Sequence, residues 1–239
     1  SALIHAATMV AAGVYMTFRI FPFLTPEALS IIAVIGAITA LMAAITAITR
    51  NDIKAVLAYS TISQLGYMIM ALGVGAPVYA LFHLVTHAMF KACLFLCSGS
   101  VIHAMHHSLH HLDDHHTDPQ NMNNMGGLKN KMPITHAAML ISTLAIAGVP
   151  FFSGFLSKDG ILAAVLSYYY KYDSWTVFLP IAGFGAAMIT AFYMFRLIFK
   201  TFYGKPKNKD IYKHIHESPL PMTVPLVLLS GLSLAFAFT

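Results

Sequence analysis

Three proton-exchanging side chains, His83, His87 and Lys91, recur at every fourth position in the stretch FHLVTHAMFKACLFL, residues 82–96, among neighbours that belong in hydrocarbon. On a helix, steps of four advance about 40° each, so the three side chains fall within an arc of roughly 80°. Consecutive members stand about 6 Å apart along the axis, a gap suited to one bridging water. Histidine exchanges protons near neutrality, and ionisable groups inside a bilayer are costly and usually functional. The chemistry such a row offers is proton transfer. The plainer alternative is a pair of hydrogen-bonded core histidines with a lysine reaching for the interface. Two histidines on one helix face have the wrong geometry for a single haem iron, and a metal site would want carboxylate or cysteine partners at the same depth. No metal ligand set is therefore expected here.

A second candidate is Lys158, with Asp159 beside it. It follows the stretch AGVPFFSG, in which Gly148, Pro150 and Gly154 should break a helix. A break near the midplane leaves free carbonyls at the end of the first half-helix, which attract a cation or a proton-carrying lysine. The second half-helix begins with its positive dipole end, which favours the Asp159 carboxylate. His5, with Thr8 one turn away, reads equally as a relay or as a packing residue. Lys54 opens NDIKAVLAYSTISQLGYM as an interfacial anchor or as part of the row. Ser60, Thr61, Ser63 and Gln64 give that helix a polar centre able to hold water or to bond between helices, and Thr86 lies inside the row itself.

The elements that must position these groups are membrane helices. The 239 residues are 58% hydrophobic and 10% charged, with a mean hydropathy of +0.71; soluble domains carry about 25% charged residues. Charge-free apolar runs at 28–49, 55–76, 134–157 and 218–239 each exceed the roughly 20 residues that cross a bilayer. The fold expected is an all-α membrane protein of about seven spans: 2–18, 28–49, 53–74, 78–104, 134–170, 174–201 and 218–238. Pro26, Asn51–Asp52, Pro77, Pro133 and Ser218–Pro219 supply start signals. Ser1 opens directly on an apolar run and Thr239 ends inside another, so the chain is expected to be a portion of a longer protein.

The fifth span is too long for one straight crossing: 37 residues would reach about 55 Å against about 30 Å of hydrocarbon. Loop charge decides how to count it. With one discontinuous span, broken near 148–154, loops 50–54, 105–132 and 196–217 share a side and hold ten Lys and Arg, while Arg19 and Lys171 lie opposite. The positive-inside rule then makes these basic loops cytoplasmic. The formal charge of +5 is topology rather than affinity for nucleic acid. Cys93 and Cys97 read as small packing residues. The segment HAMHHSLHHLDDHHTDPQNMNN holds seven His and three Asp without a defined zinc spacing; a solvated loop is the expectation and a metal-transport segment the competing one. No phosphate loop, dinucleotide fingerprint, catalytic triad or iron–sulfur cysteine cluster is present.

The segments SALIHAATMVAAGVY, NDIKAVLAYSTISQLGYM, FHLVTHAMFKACLFLCSGSVIHAMHH, MGGLKNKMP and LAIAGVPFFSGFLSKDGIL closely resemble the proton-pumping, antiporter-like subunits of respiratory complex I, chain 5 or subunit L in type. Related subunits of multisubunit sodium/proton antiporters and membrane-bound hydrogenases share these motifs. The resemblance implies two inverted five-helix repeats, each with a broken helix. Residues 1–20 would be the last helix of the preceding repeat, 28–201 the second repeat, 105–132 a His-rich cytoplasmic loop, and 218–239 the start of a further helix. It also implies that His5 links two half-channels, that Lys54, His83, His87 and Lys91 form a polar axis, and that Lys158, with Asp159, is the lysine of the second broken helix.

The function so implied is proton translocation as a non-redox subunit of NADH:quinone oxidoreductase, in a bacterial inner membrane. NADH, FMN, iron–sulfur clusters and quinone would be held only by partner subunits. The partners expected are other membrane-arm subunits, above all a neighbouring antiporter-like one, and lipid. A sodium/proton antiporter or hydrogenase subunit is the near alternative, and a His-rich metal transporter the distant one.

Overall fold

A computed structural model describes residues 2–6, 8–172 and 174–235. Ten α-helices order the described residues: α1 (Ala2–Ala6), α2 (Ala11–Ile20), α3 (Pro26–Thr49), α4 (Ile53–Gly73), α5 (Pro77–His111), α6 (Pro133–Ala147), α7 (Ser153–Tyr172), α8 (Phe178–Phe202), α9 (Lys209–His214) and α10 (Leu220–Ala235). The only β-pairing among them is an isolated bridge between Asp52 and Asn121. Helices α3, α4, α5 and α8 are each long and apolar enough to cross a bilayer, as is the stretch Ala2–Phe23. The protein is an all-α membrane protein.

The start signals act as expected. Thr25 caps α3, its hydroxyl accepting from the Ala28 amide at 3.3 Å, and Pro26 follows at the first helical position. Asp52 caps α4 by accepting from the Ala55 amide at 2.9 Å. Helices α3 and α4 then meet along small residues. Ala33, Ala37, Ala40, Ala44 and Ala47 are buried on one side of α3, and a side chain on Gly36 or Gly66 would come within 2.8 Å of the other's carbonyl oxygen. In lipid, where apolar surface gains little from burial, such close backbone contact is what joins helices. The opposite face of α3 presents Ile31, Ile35, Ile38, Met42 and Ile45 outward.

Several boundaries differ from the sequence reading. The first span is not one helix over 2–18: α1 is five residues long and α2 begins at Ala11, with residue 7 outside the described residues. The sixth span starts with a 3-10 turn over Ser174–Val177, so α8 begins at Phe178. The seventh is described to Ala235, and the remainder of the expected 218–238 lies outside the described residues.

The largest difference is in the fourth span, which continues to His111 rather than stopping at 104. The first part of the expected His-rich loop is therefore helix. No Gly or Pro interrupts residues 105–111, and Ala104, Met105, Ser108 and Leu109 form a buried face. Ser108 Oγ donates to the Ile211 carbonyl of α9 at 2.6 Å. The chain turns at Asp113, in left-handed backbone. Asp114 then accepts from the Thr117 hydroxyl and from the His116 and Thr117 amides, contacts that hold its carboxyl below the usual carboxylate range.

The three basic loops meet at one end of the bundle. Arg196 donates to the Arg50 carbonyl at 2.8 Å and to Asn51 Oδ1 at 2.7 Å. Lys200 reaches Asn51 and Asn123, and the Gly127 amide donates to the Tyr203 carbonyl. A cleft of about 890 Å³ opens at the other end, between the start of α3, the α4–α5 turn and the last turns of α7, with Lys171 on its wall.

Candidate functional site: a buried histidine and lysine row

The helix break is the first part of the site. Helix α6 ends at Ala147, and Gly148 takes the left-handed conformation with φ +78°, its amide closing on the Ala145 and Leu144 carbonyls. In a continuous helix the Ile146 carbonyl would receive the amide of residue 150, but Pro150 has none. Lys158 Nζ takes that carbonyl instead, donating at 3.0 Å. Gly154 lies inside the first turn of α7 rather than in the break. A side chain there would collide with the Ala145 carbonyl, so glycine is what lets the two half-helices close on each other. The Lys158 ammonium also lies over the Tyr67 ring, 5.3 Å from its centroid, and Tyr67 donates its hydroxyl to the Gly183 carbonyl of α8.

The row on α5 is the second part. His83, His87, Lys91 and Lys158 expose 1%, 0%, 0% and 3% of their surface. His83 Nδ1 lies 2.8 Å from Ser157 Oγ and Nε2 lies 3.0 Å from Gln64 Oε1. Ser157 immediately precedes Lys158, so one α7 turn presents both groups. Thr86 Oγ1 stands 3.1 Å from the same Ser157 hydroxyl. The rings of His83 and His87 are 6.2 Å apart, and neither nitrogen of His87 finds a partner among the described residues. Buried nitrogens of this kind call for water. Lys91 Nζ donates to the Leu57 carbonyl at 3.0 Å, an oxygen that also accepts from the Thr61 hydroxyl.

The remaining sequence candidates divide. His5 stacks on Phe95 at 5.1 Å, and the Lys91 ammonium lies 5.9 Å from the same ring, so His5 reaches the row through an aromatic side chain. Lys54 is half-buried at the start of α4, one turn before Leu57. Asp159 is not brought to Lys158. Adjacent helix positions point about 100° apart, so Lys158 faces inward while Asp159 is exposed. Ser60 accepts from the Tyr193 hydroxyl at 2.9 Å. Ser63 is used elsewhere, donating to Ala40 of α3, and Thr8 bonds locally to Leu3. Of the two residues that hold His83, the sequence offers Gln64 only as part of a polar helix centre and does not single out Ser157. The one signal for them is a polar side chain in an otherwise apolar helix.

Residues 1–190 match the family described as NADH:quinone oxidoreductase/Mrp antiporter, transmembrane. The chain is 46% identical over 255 residues to NADH-quinone oxidoreductase subunit L of Neisseria meningitidis, covering 96% of this chain and 35% of that protein. It is 46% identical over 250 residues to F(420)H(2) dehydrogenase subunit L of Methanosarcina mazei, covering 99% of this chain and 35% of the relative. It therefore spans about a third of the length of these relatives. Among solved structures, the archaeal membrane-bound sulfane sulfur reductase, a respiratory membrane complex, superposes with a TM-score of 0.83 at 28% identity over 99% of this chain and 38% of the other.

Proposed function

The chain belongs to the NADH:quinone oxidoreductase/Mrp antiporter transmembrane family, and from that membership we propose that it forms part of a proton-translocating subunit of NADH:quinone oxidoreductase, respiratory complex I. The observation that carries this reading is the buried file of Lys158, Ser157, His83, His87 and Lys91, in which the lysine at the helix break occupies the carbonyl that the break sets free. Protons would move between neighbouring members through the Ser157 hydroxyl and intervening water. Because like charges one turn apart repel strongly in a medium of low dielectric, charging one member favours release from the next. Redox-driven changes elsewhere in the complex would set the sequence. This chain would hold no NADH, FMN, iron–sulfur cluster or quinone; those belong to partner subunits, and its neighbours would be other membrane-arm subunits and lipid.

Two features favour protons over sodium. Unwound backbone carbonyls commonly coordinate sodium in transporters, but here a lysine occupies the Ile146 carbonyl. The nearest carboxylate in sequence, Asp159, faces outward. A metal-transport reading has less support, since no group of three or more His, Cys, Asp or Glu side chains among the described residues is placed to hold a metal ion. The test is Lys158→Ala in the full-length subunit within its assembled complex. Proton translocation per electron should fall while the complex still oxidises its electron donor. A full proton-to-electron ratio in that variant would overturn the reading.

A further inference from the structure

We propose that the basic end of the bundle carries a proton-uptake site, in which a surface group of histidines delivers protons to Glu217 and three buried hydroxyls pass them inward beside α6. This rests on the proton-translocating reading above and deepens it by assigning where the row is filled.

Helix α5, about 52 Å long, outruns a bilayer core of about 30 Å. Its last turns carry His103, His107 and His111 at every fourth position. The His107 ring lies 4.7 Å from that of His111 and 5.1 Å from that of His216, and His111 stacks on His214 at 5.6 Å. All five are exposed. Histidine is the side chain whose ring ordinarily exchanges protons near neutrality.

Glu217 follows His216 directly and turns inward. Its Oε2 accepts from the Ile134 amide at 2.8 Å and the Thr135 amide at 3.2 Å, and Oε1 accepts from the Thr135 hydroxyl at 2.6 Å and the Ser218 amide at 3.2 Å. Beyond it, Thr135 Oγ1 lies 3.0 Å from Ser100 Oγ, which lies 2.6 Å from Ser218 Oγ. With Thr135 donating to the carboxylate, the donors run from Ser218 to Ser100 to Thr135. Protonating the carboxyl makes it the donor, and the three hydroxyls turn so that donors run from Glu217 to Thr135 to Ser100 to Ser218. The carboxyl proton then moves to Thr135 as that of Thr135 moves to Ser100 and that of Ser100 to Ser218. This restores the first donor direction and leaves no net charge on any hydroxyl once Ser218 has released its own proton. The last proton is released to water.

Deeper still, the hydroxyls of Ser98, Ser142 and Thr143 are buried without a protein partner among the described residues. Leaving buried hydroxyls so is costly unless ordered water serves them. Ser142 and Thr143 stand one helical turn before Ile146, whose carbonyl holds Lys158. The titratable groups on the elements around Glu217 include Cys97, His103 and His107 on α5, His136 on α6, and Lys129 and Lys131 ahead of it. The α9 segment adds Lys213, His214 and His216.

The experiment measures proton translocation at fixed electron flux in membranes carrying the assembled complex with the full-length subunit. Glu217→Gln keeps an acceptor oxygen for the α6 amides but cannot exchange a proton, and should slow translocation roughly ten-fold near neutrality, with partial recovery in acid; Glu217→Asp should retain most of the rate. A wild-type rate for Glu217→Gln from about pH 6 to 8 would overturn the proposal. If Glu217→Gln does not assemble, the exposed pair His107→Gln with His216→Gln decides: a loss confined to alkaline pH supports the site, and an unchanged pH profile overturns it. Full pumping by Lys158→Ala would instead defeat the underlying reading, whereas a dead Lys158→Ala beside a fully active Glu217→Gln would defeat the uptake site alone.

Discussion

His83 is held on both of its nitrogens. With the Gln64 oxygen accepting from Nε2, Nδ1 is left to accept from the Ser157 hydroxyl, and the Gln64 amide nitrogen remains without a partner. One ring is thus oriented by two helices, α4 and α7, and its tautomer follows from which end of the amide faces it. Ser157→Ala removes the hydroxyl between His83 and the helix bearing Lys158. Proton translocation should slow roughly ten-fold while donor oxidation by the complex persists, measured as protons moved per electron. Ser63→Ala is the contrast, on α4 one residue before Gln64. It loses a bond to Ala40 of α3 and should lower subunit stability by about 1 kcal/mol, read as a lower midpoint in thermal unfolding, with the proton-to-electron ratio unchanged.

At the scale of elements, the site depends on a helix that stops and restarts. Pro150 withholds the amide that would otherwise occupy the Ile146 carbonyl, and Lys158 bonds there in its place. Pro150→Ala restores a competing donor, so translocation should fall although the subunit still assembles, checked by the yield of intact complex beside its pumping rate. Gly154→Ala is expected to act differently. Its methyl collides with the Ala145 carbonyl, forcing α7 away from α6 at a cost of about 1–3 kcal/mol. The measurable result is reduced complex assembly as well as lost pumping. A side chain at Gly148, where φ is +78°, would strain the same junction.

For the molecule as a whole, one basic end gathers loops that are distant in sequence. Asn51 accepts from Arg196 and Lys200, the Met122 amide donates to the Asn51 carbonyl, and Glu217 caps α6 across the same end. The odd number of crossings between residues 111 and 172 puts them on opposite sides of the membrane only when α6 and α7 count as a single span. Single cysteines placed at His116 and Tyr172 test this. A membrane-impermeant maleimide should label His116→Cys only from the cytoplasmic side and Tyr172→Cys only from the other; labelling of both from one side would contradict the orientation.

What was legible in the sequence was whatever depends on residue type against an apolar background. Of the fourteen Lys and Arg, twelve fall in loops or at span ends, and only Lys91 and Lys158 lie deep within spans. Burying a lone cation is so unfavourable that such positions stand out without coordinates. The broken span was legible for a similar reason, because Gly148 and Pro150 act through their own backbones. Ser157 and Gln64 were not legible as partners of His83. Most hydroxyls in these helices bond to their own backbone, as Thr39, Thr46 and Thr190 do, and only the approach of α4, α5 and α7 distinguishes the few that do not. The end of α5 and the outward turn of Asp159 belong to the same class. Which face of a helix is covered, and by what, depends on neighbours distant in the chain, and that only the tertiary structure decides.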